Sequence, residues 1–241
     1  MDSDDKIRQF IRIKEQRPLA LDRDHSALLV IDVQRYFVQP QDSFGQVIER
    51  VVPGATVGYF ERVRRTVLPN IQHLLEAFRA RRLPVFYTCT GTCTGNGRDL
   101  PLWLREFDEL GMSVMGRCIW PAPDDPAYAV DTSVAPRPGE PVLHKSSSGP
   151  LASLRLDQLL RNMEITGLVV TGLTTDVCVT QTAREAADRG FYVAIAEDAC
   201  TTLSEDMHRV ALEIFSLSFG RVKTTDELIR FFAAGDARAV S

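Results

Sequence analysis

No stretch of about 18 apolar residues occurs anywhere in the 241-residue chain, so none of it is long enough to cross a bilayer as a helix. Positive charge gives no surplus either: 28 Lys and Arg stand against 32 Asp and Glu, a net charge of -4, which leaves no electrostatic footprint for nucleic acid. The opening MDSDDKIRQF starts with acids and lacks the basic segment and apolar run that secretion needs. A cytoplasmic protein with neither a membrane nor a nucleic-acid partner is therefore expected. Cysteines are few, odd in number at five, and scattered through a chain large enough to fold without staples, which argues for reduced thiols rather than a disulfide framework. Histidine is scarcer still: His25, His73, His144 and His208 are the whole set, and they show no ligand spacing. Cys89 and Cys93 lack the second pair that a tetrahedral zinc site requires and read as loop thiols near a pocket. No metal and no other cofactor is expected.

What is present is enough apolar residue, 44% of the chain, for one well-packed domain. Short runs rich in β-branched residues at Ala27 to Ile31, Leu83 to Tyr87, Leu168 to Thr171 and Tyr192 to Ala196 read as buried parallel strands. Weaker runs at Pro141 to His144 and Phe219 to Lys223 bring the number to about six. Helical patterns lie between them at Val63 to Arg81, Leu151 to Met163, Val179 to Arg189 and Ser204 to Leu217. This alternation predicts an α/β fold: a doubly wound, mainly parallel sheet with helices on both faces. The single domain is expected over 25–241, preceded by an arm over 1–24 that carries Ile7, Phe10 and Ile11 at helical spacing. That arm reads either as packed on a partner subunit or as a frayed terminus. The stretch from Gly91 to Pro138, with six prolines and both tryptophans, is long for a connection and reads as a lid, a binding loop or a plain insertion.

In open α/β sheets ligands bind beyond the C-terminal ends of the strands, so polar residues there rank first as functional candidates. Asp32 closes Leu28-Leu29-Val30-Ile31-Asp32, where its carboxylate would be partly desolvated; otherwise it is an N-cap. Lys145 ends Val142-Leu143-His144-Lys145, before the polar Ser146-Ser147-Ser148-Gly149; otherwise it is an ordinary solvated lysine. Cys178 falls between a buried strand and an Ala-rich helix, in the first turn of that helix. Unpaired N–H groups and the positive end of the dipole there are expected to lower its pKa. Otherwise it is a small buried hydrophobe. His208, in Met207-His208-Arg209-Val210, reads as a packed or surface helix residue rather than a base.

Together, Ile31-Asp32-Val33-Gln34, the strand-terminal Lys145 before Ser148-Gly149, and Gly172-Leu173-Thr174-Thr175-Asp176-Val177-Cys178-Val179 closely resemble the isochorismatase-like cysteine hydrolases. The likeness continues through Arg184-Glu185-Ala186-Ala187-Asp188-Arg189-Gly190-Phe191 and Glu197-Asp198-Ala199-Cys200, covering roughly Ala27 to Leu228. It implies a six-stranded sheet ordered 3-2-1-4-5-6 with an Asp32, Lys145 and Cys178 triad. It also implies a cis peptide between Leu173 and Thr174, and an oxyanion hole from the backbone N–H groups of Thr174 and Cys178. Gln34, Phe37 and Ser148 are expected to contact substrate. In the implied order Lys145 follows a strand that is not adjacent to that of Asp32, and its side chain has to reach inward.

The function implied is hydrolysis of a C–N bond in a small amide, ureido or carbamoyl substrate through a covalent acyl-enzyme. Ureidoacrylate-like compounds, biuret-like ureas, N-carbamoyl amino acids and simple carboxamides are the candidates, and a homo-oligomer, dimer or tetramer, is expected. Nicotinamidases of this group add a metal site built from an Asp and histidines, and no histidine stands between His73 and His144 to supply it. Two other functions stay open: a vinyl-ether hydrolase of the isochorismatase type, which needs no nucleophile, and a scaffold that has kept the fold and lost the chemistry. Gly149-Pro150-Leu151 departs from the small-plus-aromatic sequence common after the lysine, which puts the substrate in question more than the reaction.

Overall fold

A computed structural model describes residues 2–234; the end of the expected domain, 235–241, lies outside the described residues. Six strands form one sheet: β1 (Ser26–Ile31), β2 (Val85–Thr90), β3 (Val142–Lys145), β4 (Gly167–Leu173), β5 (Tyr192–Thr201) and β6 (Arg221–Lys223). Their order is β3-β2-β1-β4-β5-β6 and every pairing is parallel. This is the expected doubly wound arrangement.

The central strands β1 and β4 read as nearly unbroken apolar runs because both faces of the sheet are covered there. Side chains alternate between faces along each strand, so β1 sends Leu28 and Val30 into one core and Ala27, Leu29 and Ile31 into the other. Val169 and Leu173 of β4, with Ala194 of β5, join the first core; Leu168, Val170 and Ile195 join the second. The Leu68–Ala80 and Thr225–Ala233 helices cover the first face through Ile71, Leu74, Phe78, Leu228 and Phe232. The Thr180–Asp188 and Glu205–Ser218 helices cover the second through Ala183, Ala186, Leu212 and Phe215.

Several elements depart from their expected bounds. β5 runs ten residues, past Ala196 through Glu197 and Asp198 to Thr201, where Gly172 pairs with Cys200 and Leu173 with Thr201 after a shift in register. Pairing with β4 carries the strand beyond the end of its apolar run. β2 likewise continues through Thr88, Cys89 and Thr90, so of the pair Cys89 is a buried strand residue and Cys93 an exposed loop thiol. The helix expected over Val63 to Arg81 begins at Val57 and widens to a π turn over Val63–Val67 before Leu68–Ala80. Pro69 lacks the N–H that an uninterrupted helix would aim at the Arg65 carbonyl. The helix expected over Leu151 to Met163 is two, Pro150–Leu154 and Leu156–Asn162, separated by Arg155 in the left-handed conformation at φ 52°.

The arm forms a helix over Ser3–Glu15 that lies on the Glu205–Ser218 helix of its own chain. Lys14 donates to the Ser216 and Gly220 carbonyls, Glu15 accepts from Ser216 and Val222, and Lys223 pairs with Glu15 at 3.0 Å. These contacts anchor the helix at its C-terminal end. Gly91 to Pro138 is not a featureless connection: it holds a 14-residue helix over Leu102–Met115.

At the level of the site, β4 and β1 approach so closely that a Cβ on Gly172 would lie 2.1 Å from the Ile31 carbonyl oxygen, and Gly172 sits at φ 119°. Gly172→Ala is expected to destabilise the protein by about 3 kcal/mol or more, from overpacking and an unfavourable backbone together. Urea unfolding checks this, and a loss under about 1 kcal/mol would contradict the packing described.

Candidate active site

The chain leaves β1 toward β2 and β3 on one side, and continues from β4 toward β5 and β6 on the other. A crevice therefore opens where β1 and β4 end, which is where ligands bind in such sheets. Asp32 follows β1 directly and adopts φ 51°, a left-handed conformation that non-glycine residues seldom take and that clusters at functional sites. The N-cap of the next short helix is Gln34, so Asp32 is not a cap. Its carboxylate is fully buried, accepting from Thr88 Oγ1 at 2.7 Å on one oxygen and from Lys145 Nζ at 2.6 Å on the other.

Lys145 is not solvated; its side chain is completely buried. It stands on β3, two strands from Asp32, with Thr90 of β2 beside it in register. Thr90 is short enough for the lysine to pass over it, which accounts for the inward reach. The ammonium has three protons, and Asp32 Oδ2 at 2.6 Å, Thr90 Oγ1 at 2.9 Å and the Ser147 carbonyl at 2.9 Å accept them; Cys178 Sγ is a fourth neighbour at 3.5 Å. Burial pulls the lysine pKa down, but the adjoining Asp32 carboxylate outweighs it, so the pKa is raised and the charge retained.

Cys178 sits at the head of helical backbone, in a π turn over Thr175–Val179 that leads into Thr180–Asp188. The expected fall in its pKa is not found. Burial pushes the thiol well up; Lys145 opposes this, and Asp32 adds to it by accepting the thiol proton in a hydrogen bond. Burial also pushes Cys89 and Cys200 up to about 12. The Leu173–Thr174 peptide is cis, and Thr174 and Cys178 both line the cavity above the cluster.

That cavity has a volume of about 240 Å³. Phe37 and Ser148 line it, as expected; Gln34 does not. Its amide donates to the Thr90 and Tyr128 carbonyls and accepts from the Thr90 N–H at 2.7 Å, tying the end of β2 to the segment that carries Tyr128. Gly149, Pro150 and Leu151 also stay out of the cavity wall. Gly149 admits the Glu185 carboxylate, which accepts from Leu151 and Ala152 N–H, and Leu151 enters the core. His208 is partly buried, its Nδ1 2.8 Å from Thr175 Oγ1, and it touches neither Asp32, Lys145 nor Cys178. Sequence reasoning did not single out Thr88 and Thr90, although two threonines at alternate positions of an otherwise apolar strand were a signal. It also missed Trp103, Leu104 and Phe107, which the Leu102–Met115 helix brings to the cavity. Among the described residues, no group of three or more His, Cys, Asp or Glu is arranged to hold a metal ion.

The isochorismatase domain pattern matches residues 26–227, nearly all of the sheet and its helices. The chain belongs to the isochorismatase family. N-carbamoylsarcosine amidase from Arthrobacter sp. is 26% identical over 213 residues, spanning 86% of this chain and 71% of that protein. Ureidoacrylate amidohydrolase RutB from Methylobacterium radiotolerans is 28% identical over 218 residues, spanning 85% and 78%. The crystal structure of a cysteine hydrolase from Pseudomonas syringae pv. phaseolicola superposes with a TM-score of 0.73 at 23% identity, covering 91% of this chain and 99% of that one, a likeness of fold.

In this isochorismatase-family chain the raised pKa makes Cys178 a neutral thiol at rest. Its alkylation by iodoacetamide is expected to be slow near pH 7 and to climb only well above the free-thiol value of about 8.5. Peptide mass spectrometry across a pH series measures it; a rate that levels off below pH ~8 would show a poised thiolate instead.

Proposed function

We propose that this protein is a cysteine-nucleophile amidohydrolase that cleaves a C–N bond of a small amide, ureido or carbamoyl substrate. One observation carries the reading: Lys145 Nζ bridges Asp32 at 2.6 Å and Cys178 at 3.5 Å, at the buried end of the cavity where β1 and β4 terminate. Two relatives named as amidohydrolases support the bond type.

In the proposed cycle Asp32 takes the thiol proton as Sγ attacks the substrate carbonyl carbon, forming a C–S bond and a tetrahedral oxyanion. The backbone N–H groups of Thr174 and Cys178 receive that oxyanion. Protonated Asp32 returns its proton to nitrogen as the C–N bond breaks, and ammonia or an amine departs. Water then adds to the thioester, giving a proton to Asp32; the acid leaves, and the proton returns to the thiolate. Lys145 stays charged throughout and offsets the negative charge as it passes from Asp32 to the oxyanion and, when the C–S bond breaks, to Cys178. A neutral resting thiol suits this scheme, because the proton moves only when a carbonyl is present to receive the sulfur.

Cys178→Ala and Cys178→Ser are expected to lose about 1,000-fold or more in turnover while keeping the fold by circular dichroism. Protein quenched during wild-type turnover should show Cys178 heavier by the acyl fragment. Asp32→Asn and Lys145→Ala should each be severe and not additive with it, since the three act as a unit. An enol ether yielding pyruvate, with no adduct and with Cys178→Ala still competent, would establish the vinyl-ether function instead.

The donor groups at the site also lead to an expectation of metal independence. Dialysis against chelator should leave the rate unchanged; stoichiometric metal by elemental analysis, with activity lost on its removal, would overturn that part.

A further inference from the structure

The cavity above Cys178 has walls with a definite chemical bias. Phe37, Phe44, Ile48, Trp103, Phe107 and Trp120 are among the residues that form them. The aromatic rings brace one another: Phe37 lies 5.0 Å from Phe44, and Phe107 lies 6.1 Å from Trp120 at 73°. Trp120 is held further by its indole N–H, which donates to the Leu104 carbonyl at 2.7 Å, leaving the ring as an apolar surface. Among the described residues no Lys, Arg or His lines this cavity, while the acidic residue Asp176 does. Lys145 has given its three protons to Asp32, Thr90 and Ser147. Arg62 donates to Thr201 Oγ1 and to the Thr202 carbonyl, and pairs with Glu205.

A carboxylate entering this space would lose its water without gaining a cation and would stand near Asp176, whereas an uncharged ring would exchange water for aromatic contacts. At about 240 Å³ the cavity falls below the roughly 300 to 1,000 Å³ of pockets that hold drug-sized ligands, which leaves room for about one ring and its amide. Resting on Cys178 as the nucleophile, we propose that the substrate is an uncharged primary amide with an aromatic or branched apolar acyl side. Ureido acids and N-carbamoyl amino acids, which carry a carboxylate, are rejected. In the reaction the thiol would add to the carbonyl, the C–N bond would break with a proton delivered to nitrogen, and ammonia would leave. An apolar thioester would then be hydrolysed to the acid. The free acid, now anionic in an apolar cavity with no cation, would be expelled.

Calorimetry of Cys178→Ala with benzamide and with N-carbamoylglycine tests the pocket without turnover. Benzamide is expected to bind about ten-fold or more tightly than N-carbamoylglycine. In the same background Phe107→Arg, at a half-exposed site on the cavity rim, should tighten N-carbamoylglycine several-fold and weaken benzamide. Equal or tighter binding of N-carbamoylglycine by Cys178→Ala, no binding of either compound, or no change on Phe107→Arg would overturn the proposal. Failure of the chemistry reads differently: benzamide bound by Cys178→Ala, but neither ammonia nor a Cys178 adduct from wild-type protein, would remove the amidohydrolase function and leave the pocket preference standing.

Discussion

The ion pair between Lys145 and Asp32 is the interaction on which the rest of the site depends. Both side chains are fully excluded from water, so each is tolerable only because the other is there and because neighbours take up the remaining hydrogen bonds. Removing one partner of such a pair typically costs about 3 to 5 kcal/mol, since the survivor is left as an uncompensated buried charge. Thr88 satisfies the second carboxylate oxygen, while Thr90 and the Ser147 carbonyl hold the rest of the ammonium. Gln34 then fixes Thr90 through both its N–H and its carbonyl. Residues from the ends of three strands and the loop after β3 are thus tied to one pair of charges.

Burial does two things at once in this crevice. It makes the Lys145–Asp32 attraction strong enough to keep the lysine charged, and it withholds solvation from Cys178 so that the thiol stays protonated. Above it the aromatic walls run from buried Trp120 out to Trp103 and Phe107 at the exposed rim. A site assembled this way has a polar floor with every donor occupied and apolar sides with little to offer a charged ligand.

The sheet was legible in the sequence because strands covered on both faces must be apolar at nearly every position, as Ala27 to Ile31 and Leu168 to Val170 are. Strand ends were not. Thr88 to Thr90 and Glu197 to Thr201 are too polar to signal a strand, and they are strands because neighbours pair with them. Asp32, Lys145 and Cys178 could be singled out from their places after strands and from the motifs around them. That Lys145 crosses Thr90 to reach Asp32 could not, since the crossing depends on which strands are neighbours in space. Gln34 sits in a motif that pointed to substrate contact, yet its amide bonds to the backbone of β2 and of Tyr128.

By itself the sequence determined the fold class, the two-sided core and the three polar side chains set at strand and helix ends, because each follows from local periodicity and from residue type at a given spacing. Only the tertiary structure decided the protonation state of Cys178, the anchoring of the Ser3–Glu15 helix on its own chain and the composition of the cavity wall. Each of those is a matter of what comes to lie nearby: Asp32 and full burial beside the thiol, Ser216 and Lys223 beside Glu15, and a helix at 102–115 that brings Trp103, Leu104 and Phe107 to the cavity above Cys178. Solvation and contact between distant segments are set when the chain closes on itself, and no local pattern encodes them.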